Sequence, residues 1–242
     1  MNLIALQVKT NEDFSKNLEH LKSLIKECPK DSLILAPEIT LSGFCYDRMQ
    51  EAADFSLLAI KELQDLALNK TIALTLITKQ DERFFNTLYI FHNQEIIHTQ
   101  SKIKLFPLGN ELEHFVAGNE EDIKIIEING VKIATLICFE LRFPQLWEKV
   151  KGADIILNPA MWGLKRKDHY ETISKSLALV NQCFVIAANS ADSNMAKGSA
   201  IISPFGNVFK DDEKEIISEN IDLNEISKVR KYINIGLEIY KK

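Results

Sequence analysis

Short apolar runs recur along this chain, with amphipathic stretches between them, and that alternation restricts the fold more than any other feature. LIALQV (residues 3–8), SLILAPE (32–38), TIALTLIT (71–78), FFNTLYIFH (84–92), EIIHT (95–99), ADIILNP (153–159) and CFVIAAN (183–189) read as strands, and SLILAPE and ADIILNP read as buried ones. Asn129-Gly130 sits between two β-rich halves of IKIIEINGVKIATLIC (123–138), the signature of a type I′ hairpin. GSAIIS, GNVFK and EIISENI close the chain with further strands. Three stretches read as helices. The first follows Thr10 and Asp13, which can form a capping box, and its apolar stripe is Phe14, Leu18, Leu21, Ile25 and Cys28. The second spans 50–68, with Phe55, Leu58, Ala59, Leu63 and Leu66 on one face. The third is capped by Asp168 and Glu171 and runs to about residue 182, with Ile173, Leu177 and Val180 inside. Hairpins together with strand–helix–strand units predict an α/β fold of mixed sheets, with helices packed outside.

The 242 residues suffice for one large core, so a single domain over 1–242 is expected. A net charge of −5 with no basic block speaks against a nucleic-acid partner. No apolar run approaches a membrane span, and the first residues show no secretory leader. Cys28, Cys45, Cys138 and Cys183 are widely spaced without a C-x-x-C pair. That pattern fits neither a zinc knuckle nor a disulfide scaffold and is expected of a cytoplasmic protein.

Ligands of α/β sheets bind beyond the carboxyl ends of strands, so strand ends are the places to look for chemistry. LILAPE ends in Glu38, SKIKLFP brings Lys102 just past a strand, and LIC ends in Cys138. Cys138 reads either as a buried structural thiol or as a nucleophile on a sharp turn. In the second case the turn would expose the sulfur. A helix start near Pro144 would lower the thiol pKa and offer backbone N–H groups to an oxyanion. Glu38 has apolar neighbours on both sides, and a carboxylate buried there needs a cationic or hydrogen-bonding partner, for which Lys102 is a candidate.

LAPEITLSGF, SKIKLFP, LICFELRFPQLW, LNPAMW, NQCFVIAANS and GSAIISPFGNV occur in that order and cover nearly the whole chain. Together they resemble the nitrilase, or carbon–nitrogen hydrolase, superfamily, in its amidase-like branch. The resemblance implies a four-layer αββα sandwich of two mixed β-sheets with helices on the outer faces. It also implies a catalytic Glu-Lys-Cys triad, which falls on Glu38, Lys102 and Cys138. A second family carboxylate precedes a y-F-x-x-G segment; NELEHFVAGNE matches, and the spacing to Gly118 favours Glu111 over Glu113. Phe139-Glu140 stands where the family often has Tyr-Asp, and Lys104 where many members have His. Leu177 and Val180 replace an Arg and a Glu that are common there.

The function so implied is thiol-dependent hydrolysis of a non-peptide C–N bond in a small amide, ω-amide or N-carbamoyl compound. It needs no metal or organic cofactor and proceeds through a Cys thioester. Glu38 would move the protons. Lys102 and the N–H of Phe139 would hold the oxyanion. Glu111 would orient Lys102 and the substrate nitrogen, and Trp162 would line the pocket. Arg142 is expected to brace the elbow through Glu140 or another carboxylate. Nitrile hydrolysis on the same triad and a non-catalytic binding or regulatory role remain alternatives. A Cys-His hydrolase would need one of His20, His92, His98, His114 or His169, none of which lies in a recognisable motif. A homodimer or higher homo-oligomer is expected. Its contacts would involve the helices near the elbow and the tail residues Ile233, Ile235, Leu237, Ile239 and Tyr240.

Overall fold

The computed structural model describes residues 1–237. One six-stranded sheet contains β1 (Asn2–Leu6), β2 (Ser32–Leu35), β3 (Thr71–Gln80), β4 (Arg83–His92), β5 (Glu95–Ser101) and β12 (Ile216–Asn220). Its order is β12-β1-β2-β3-β4-β5. The other contains β6 (Ile126–Ile128), β7 (Val131–Thr135), β8 (Ile155–Ala160), β9 (Phe184–Asn189), β10 (Ala200–Ile202) and β11 (Val208–Lys210), in the order β11-β10-β9-β8-β7-β6. In each sheet the three strands β1-β2-β3 or β7-β8-β9 run parallel and the flanking pairs are antiparallel.

The apolar runs are continuous because the parallel strands are covered on both faces. Leu3, Ala5, Leu33 and Leu35 point inward and join one cluster with Ile133, Leu157 and Ala187 of the second sheet. Their neighbours Ile4, Leu6 and Ile34 point outward and pack on Leu18, Leu21 and Ile25 of α1 (Phe14–Glu27) and on Ala59 and Leu63 of α2 (Met49–Leu66). On the second sheet, α5 (Lys167–Asn181) contributes Tyr170, Leu177 and Ala178 to the core. The layering is that of an αββα sandwich. Asn129 and Gly130 have φ of 52° and 78°, both left-handed, as a type I′ hairpin between β6 and β7 requires.

Several local expectations are corrected. Asp13 alone caps α1, accepting from Lys16 N at 3.1 Å, while the Thr10 hydroxyl donates to Thr40 O. Asp168 and Glu171 do not cap α5, whose N-cap is Arg166 without a side-chain bond. Leu58 is 50% exposed and Val180 57%, because each lies at the edge of its helix stripe, beyond the reach of the sheet below. The last regular element among the described residues is a helix, α6 (Asn224–Tyr232), rather than a strand. Its Ile226 and Val229 are buried, and its Arg230 pairs at 3.4 Å with the buried Asp154 just before β8. Among the tail residues, Ile233 and Ile235 are exposed, and Ile239 and Tyr240 lie outside the described residues.

Candidate active site

Three strand exits converge, those of β2 and β5 from one sheet and that of β7 from the other. Beyond β2, Ala36 N donates to Ala73 O at 2.9 Å and Glu38 N reaches across to Ala160 O, the end of β8, at 3.2 Å. Ile39 then turns into the left-handed region at φ 46°, a strained conformation for a β-branched residue, and its N–H is held by Thr75 Oγ1 at 2.7 Å. The Glu38 side chain is thereby fixed in the interior with no exposed surface. One residue past β5, Lys102 is equally buried; its backbone N donates to Asn86 O at 2.8 Å. Its ammonium donates to Glu38 Oε1 at 2.7 Å and to Glu111 Oε1 at 2.8 Å. Glu111 opens the four-residue helix α3 (Glu111–His114) and also accepts from Phe106 N at 3.1 Å through Oε2. Glu113 is exposed, and of the two carboxylates Glu111 is the one bonded to Lys102.

Cys138 lies three residues beyond β7 at φ 48°, opening a 3₁₀ turn, Cys138–Arg142, that precedes the short helix α4 (Pro144–Lys149). The turn is sharp, but the thiol is only 6% exposed, and the start of α4 is several residues away. The expectation of a depressed thiol pKa is therefore overturned. Burial first, and then the Glu38 carboxylate, push the Cys138 thiol well above its ordinary value, outweighing Lys102. The Lys102 ammonium would be lowered by burial, but Glu38, Cys138 and Glu111 outweigh that and raise it. Burial and the Glu38 charge raise Glu111 to about 7 against the pull of Lys102. The thiol, the ammonium and two carboxylates thus form one coupled electrostatic unit. Glu38 Oε2, buried without a hydrogen-bond partner, is the one carboxylate oxygen of the unit left free to accept a proton.

The cavity beside Cys138 has a volume of about 20 Å³ and is lined by Phe106, Phe139, Arg142, Met161, Trp162 and Arg166. Trp162 is buried, packs on the ring of Tyr170 at 5.5 Å and carries the Arg142 guanidinium 4.5 Å from its ring centroid. Arg166 lies 5.1 Å from the Phe106 ring centroid. Arg142 does not bond to Glu140. Its guanidinium meets His169 Nδ1 at 2.9 Å, and Glu140 is engaged elsewhere by backbone N–H groups. Among the described residues neither Arg142 nor Arg166 forms an ion pair, and no histidine bonds to Cys138. No group of three or more His, Cys, Asp or Glu among the described residues is placed to hold a metal ion.

Three contributors to this site carry no local sign in the sequence. Asn86, in the middle of β4, donates through Nδ2 to Glu38 Oε1 at 2.8 Å. Arg166 reaches the pocket from the turn before α5. Tyr46 stacks on His114 at 4.0 Å and donates its hydroxyl to Gly109 O, closing the outer side of the Glu111 segment. The departures from the family pattern fall at different depths. Leu177 is fully buried and Val180 exposed, while Lys104 lies 5.5 Å from the Phe143 ring.

The chain belongs to the carbon-nitrogen hydrolase family, whose sequence profile matches residues 3–231. It is a hydrolase acting on carbon–nitrogen bonds. It is 31% identical to 2-oxoglutaramate amidase of Bacillus subtilis, over 94% of this chain and 92% of the relative. To deaminated glutathione amidase of Escherichia coli O157:H7 it is 28% identical, over 85% of this chain and 84% of that one. In three dimensions it superposes on XC1258 of Xanthomonas campestris, a CN-hydrolase superfamily protein, with a TM-score of 0.85 at 22% identity, covering 96% of this chain and 94% of the other.

Proposed function

We propose that this enzyme hydrolyses the amide of a short dicarboxylic acid monoamide to the diacid and ammonia. The observation that carries this reading is the pair of guanidiniums at the pocket, Arg142 and Arg166, which have no carboxylate partner among the described residues. Burial and the charge of Arg166 both act to lower the Arg142 pKa, so an anion between the two would relieve a repulsion as well as form charge-assisted bonds. A substrate with a carboxylate at one end and an amide at the other would supply that anion. The 2-oxoglutaramate for which the Bacillus relative is named is such a molecule.

Cys138 Sγ attacks the amide carbon as its proton passes to Glu38 Oε2. The negative oxygen of the tetrahedral adduct is held by Lys102 Nζ and the Phe139 N–H. Glu38 hands the proton to the nitrogen, the C–N bond breaks, and ammonia leaves a thioester on Cys138. Water then attacks the thioester, losing its proton to Glu38, which returns it to the sulfur as the acid departs. Supporting this order, the thiol is held in its protonated form, so a base is needed at the moment of attack. Glu111 orients Lys102, and the rings of Phe139 and Trp162 wall the substrate's chain.

Succinamate and pentanamide have similar length and differ in the terminal carboxylate, so their relative kcat/KM tests the guanidinium pair. The parent enzyme should favour succinamate, and Arg166→Leu should lower that preference by roughly 10–100-fold, the worth of one or two bonds to a charged group. A preference for pentanamide in the parent, or an unchanged ratio in the variant, would remove the anion from the reading.

The reading extends to a homo-oligomer in a reducing cytoplasm. Leu179 and Val180 of α5, Phe205, and Tyr232 and Ile233 at the end of α6 are exposed apolar residues of the kind a subunit contact covers. All four cysteines are free, and no described helix is long and apolar enough to cross a membrane. Sedimentation at micromolar concentration should give at least a dimeric mass; a monomer would exclude the contact.

A further inference from the structure

Holding an oxyanion from two sides requires its two donors to stay in register, and here they stand on separate loops from different sheets. Lys102 follows β5 of one sheet, and Phe139 follows the elbow after β7 of the other. A difference of about 1 Å between them would be enough to lose much of their effect. Each loop is tied back to its own surroundings. Lys102 N bonds to Asn86 O at 2.8 Å, and Leu136 N bonds to Leu157 O at 2.9 Å. Neither bond sets the distance from one loop to the other.

Behind them Gln100 Nε2 joins the two strands, donating to Thr135 O at 3.3 Å; at the loops themselves, among the described residues, one side chain spans both. Glu140 Oε1 accepts from Ile103 N at 2.7 Å, and Glu140 Oε2 accepts from Ile137 N at 2.7 Å. Ile103 is the residue after Lys102, and Ile137 the residue before Cys138. The carboxylate is fully buried, and its own backbone N donates to Ile137 O at 3.0 Å, which fixes the arm within the elbow. It is not among the residues lining the substrate cavity. We infer that Glu140 is a positioning residue, a brace that sets the separation of the lysine loop from the nucleophile elbow and so aligns the two oxyanion donors.

The position is a costly one for a charge, so a packing role alone does not account for it. Burial raises the Glu140 carboxyl to about 7, although the N–H groups of Ile103, Ile137 and Lys104 and the nearby Lys102 ammonium all pull it down. An apolar residue would fill the same volume without a desolvation penalty but would leave two buried N–H groups without acceptors. A glutamine offers one oxygen and one amino group to two donors, so it can hold one loop and must turn away from the other. An aspartate keeps both oxygens on a shorter arm.

This inference rests on the hydrolytic reading above, and the test separates the two. The parent and Cys138→Ala are assayed first for ammonia release from succinamate. If the parent releases none, the substrate reading fails and the brace is measured instead on pentanamide, whose hydrolysis needs the same two oxyanion donors. With an active parent, Glu140→Gln is compared in three measurements: kcat, KM, and the rate at which iodoacetamide alkylates Cys138. That displacement at a saturated carbon forms no oxyanion. The brace predicts kcat lower by about 10–100-fold, since one donor is worth on the order of 10²–10³ when removed and less when displaced. KM should stay within about twofold and alkylation within about threefold. Glu140→Asp, with its charge kept, should recover part of the lost kcat. Unchanged kcat per alkylatable site would overturn the inference. So would a parallel loss of alkylation and turnover, which would place Glu140's effect on the thiol itself. Should Glu140→Gln fail to fold, Glu140→Asp is read by the same three measurements against the parent.

Discussion

Cys138→Ala should release no detectable ammonia from any amide, a loss on the order of 10⁵-fold or more in turnover, while the protein remains folded. The loss follows from the mechanism having no second nucleophile. The remaining cysteines are placed elsewhere: Cys28 just past the end of α1, Cys183 before β9, and Cys45 in the loop ahead of α2. Burial raises the pKa of Cys28 to about 11 and also raises that of Cys45, so neither is a ready thiolate. The fold should survive because only one sulfur is deleted from the inter-sheet cluster, a cost of about 1 kcal/mol on the scale of a buried methyl. Circular dichroism and thermal melting would establish the fold, and a coupled ammonia assay the activity. Retained ammonia release in a folded alanine protein would remove Cys138 from the chemistry.

The second large effect separates the two carboxylates around Lys102. Glu38 presents a free Oε2 while its Oε1 takes Lys102 and Asn86. In Glu38→Gln the amide oxygen stays with those two donors and an amino group faces the sulfur. No base remains, and amide turnover should fall by about 10⁴-fold, the upper end for positioned proton transfer. Glu111 makes two bonds, to Lys102 and to Phe106 N, and has no such free role. Glu111→Gln keeps one of them and should retain about 1–10% of the activity. With Glu111 raised to about 7, its ionised, lysine-orienting form is lost as pH falls through that value. The parent's kcat should therefore decline on the acid side of about pH 7, and Glu111→Gln should lack that part of the decline. Mass spectrometry after mixing with succinamate completes the comparison. An acyl adduct trapped on Cys138 in Glu38→Gln, with none in Glu111→Gln, would mean that the roles are the reverse.

What the sequence discloses and what it withholds divide along physical lines. Glu38, Lys102 and Cys138 stand out in the sequence because each lies within three residues of a strand end and within a local run that resembles a family. Asn86 is not, because its partner Glu38 lies 48 residues earlier and nothing in FFNTLYIFH marks its amide as a donor to a carboxylate. The double bond of Glu140 is hidden for the same reason, since a carboxylate next to Arg142 suggests a local ion pair and the structure puts backbone N–H groups there. Burial explains the wrong direction for the thiol. A turn before a helix suggests an electropositive, open site, whereas the sulfur is enclosed beside a carboxylate. At Leu58 and Val180 the helical period is right, but how far the neighbouring layer extends is a tertiary fact that periodicity does not contain.

The segment from Glu111 to Gly118 grips Lys102 at both ends: Glu111 holds the ammonium, and Gly118 N donates to Lys102 O at 3.0 Å. A side chain at 118 has no room, since a Cβ there would lie 2.3 Å from Ser101 O. Peeling this segment away would leave the buried ammonium with Glu38 as its one remaining carboxylate partner, at a cost of about 3–5 kcal/mol for the broken buried pair, so fewer than about one molecule in a hundred would be open there at any moment. Arg142 and Arg166, by contrast, rest on aromatic faces rather than in ion pairs. In the proposed reading, an arriving carboxylate would therefore displace ring contacts and break no ion pair.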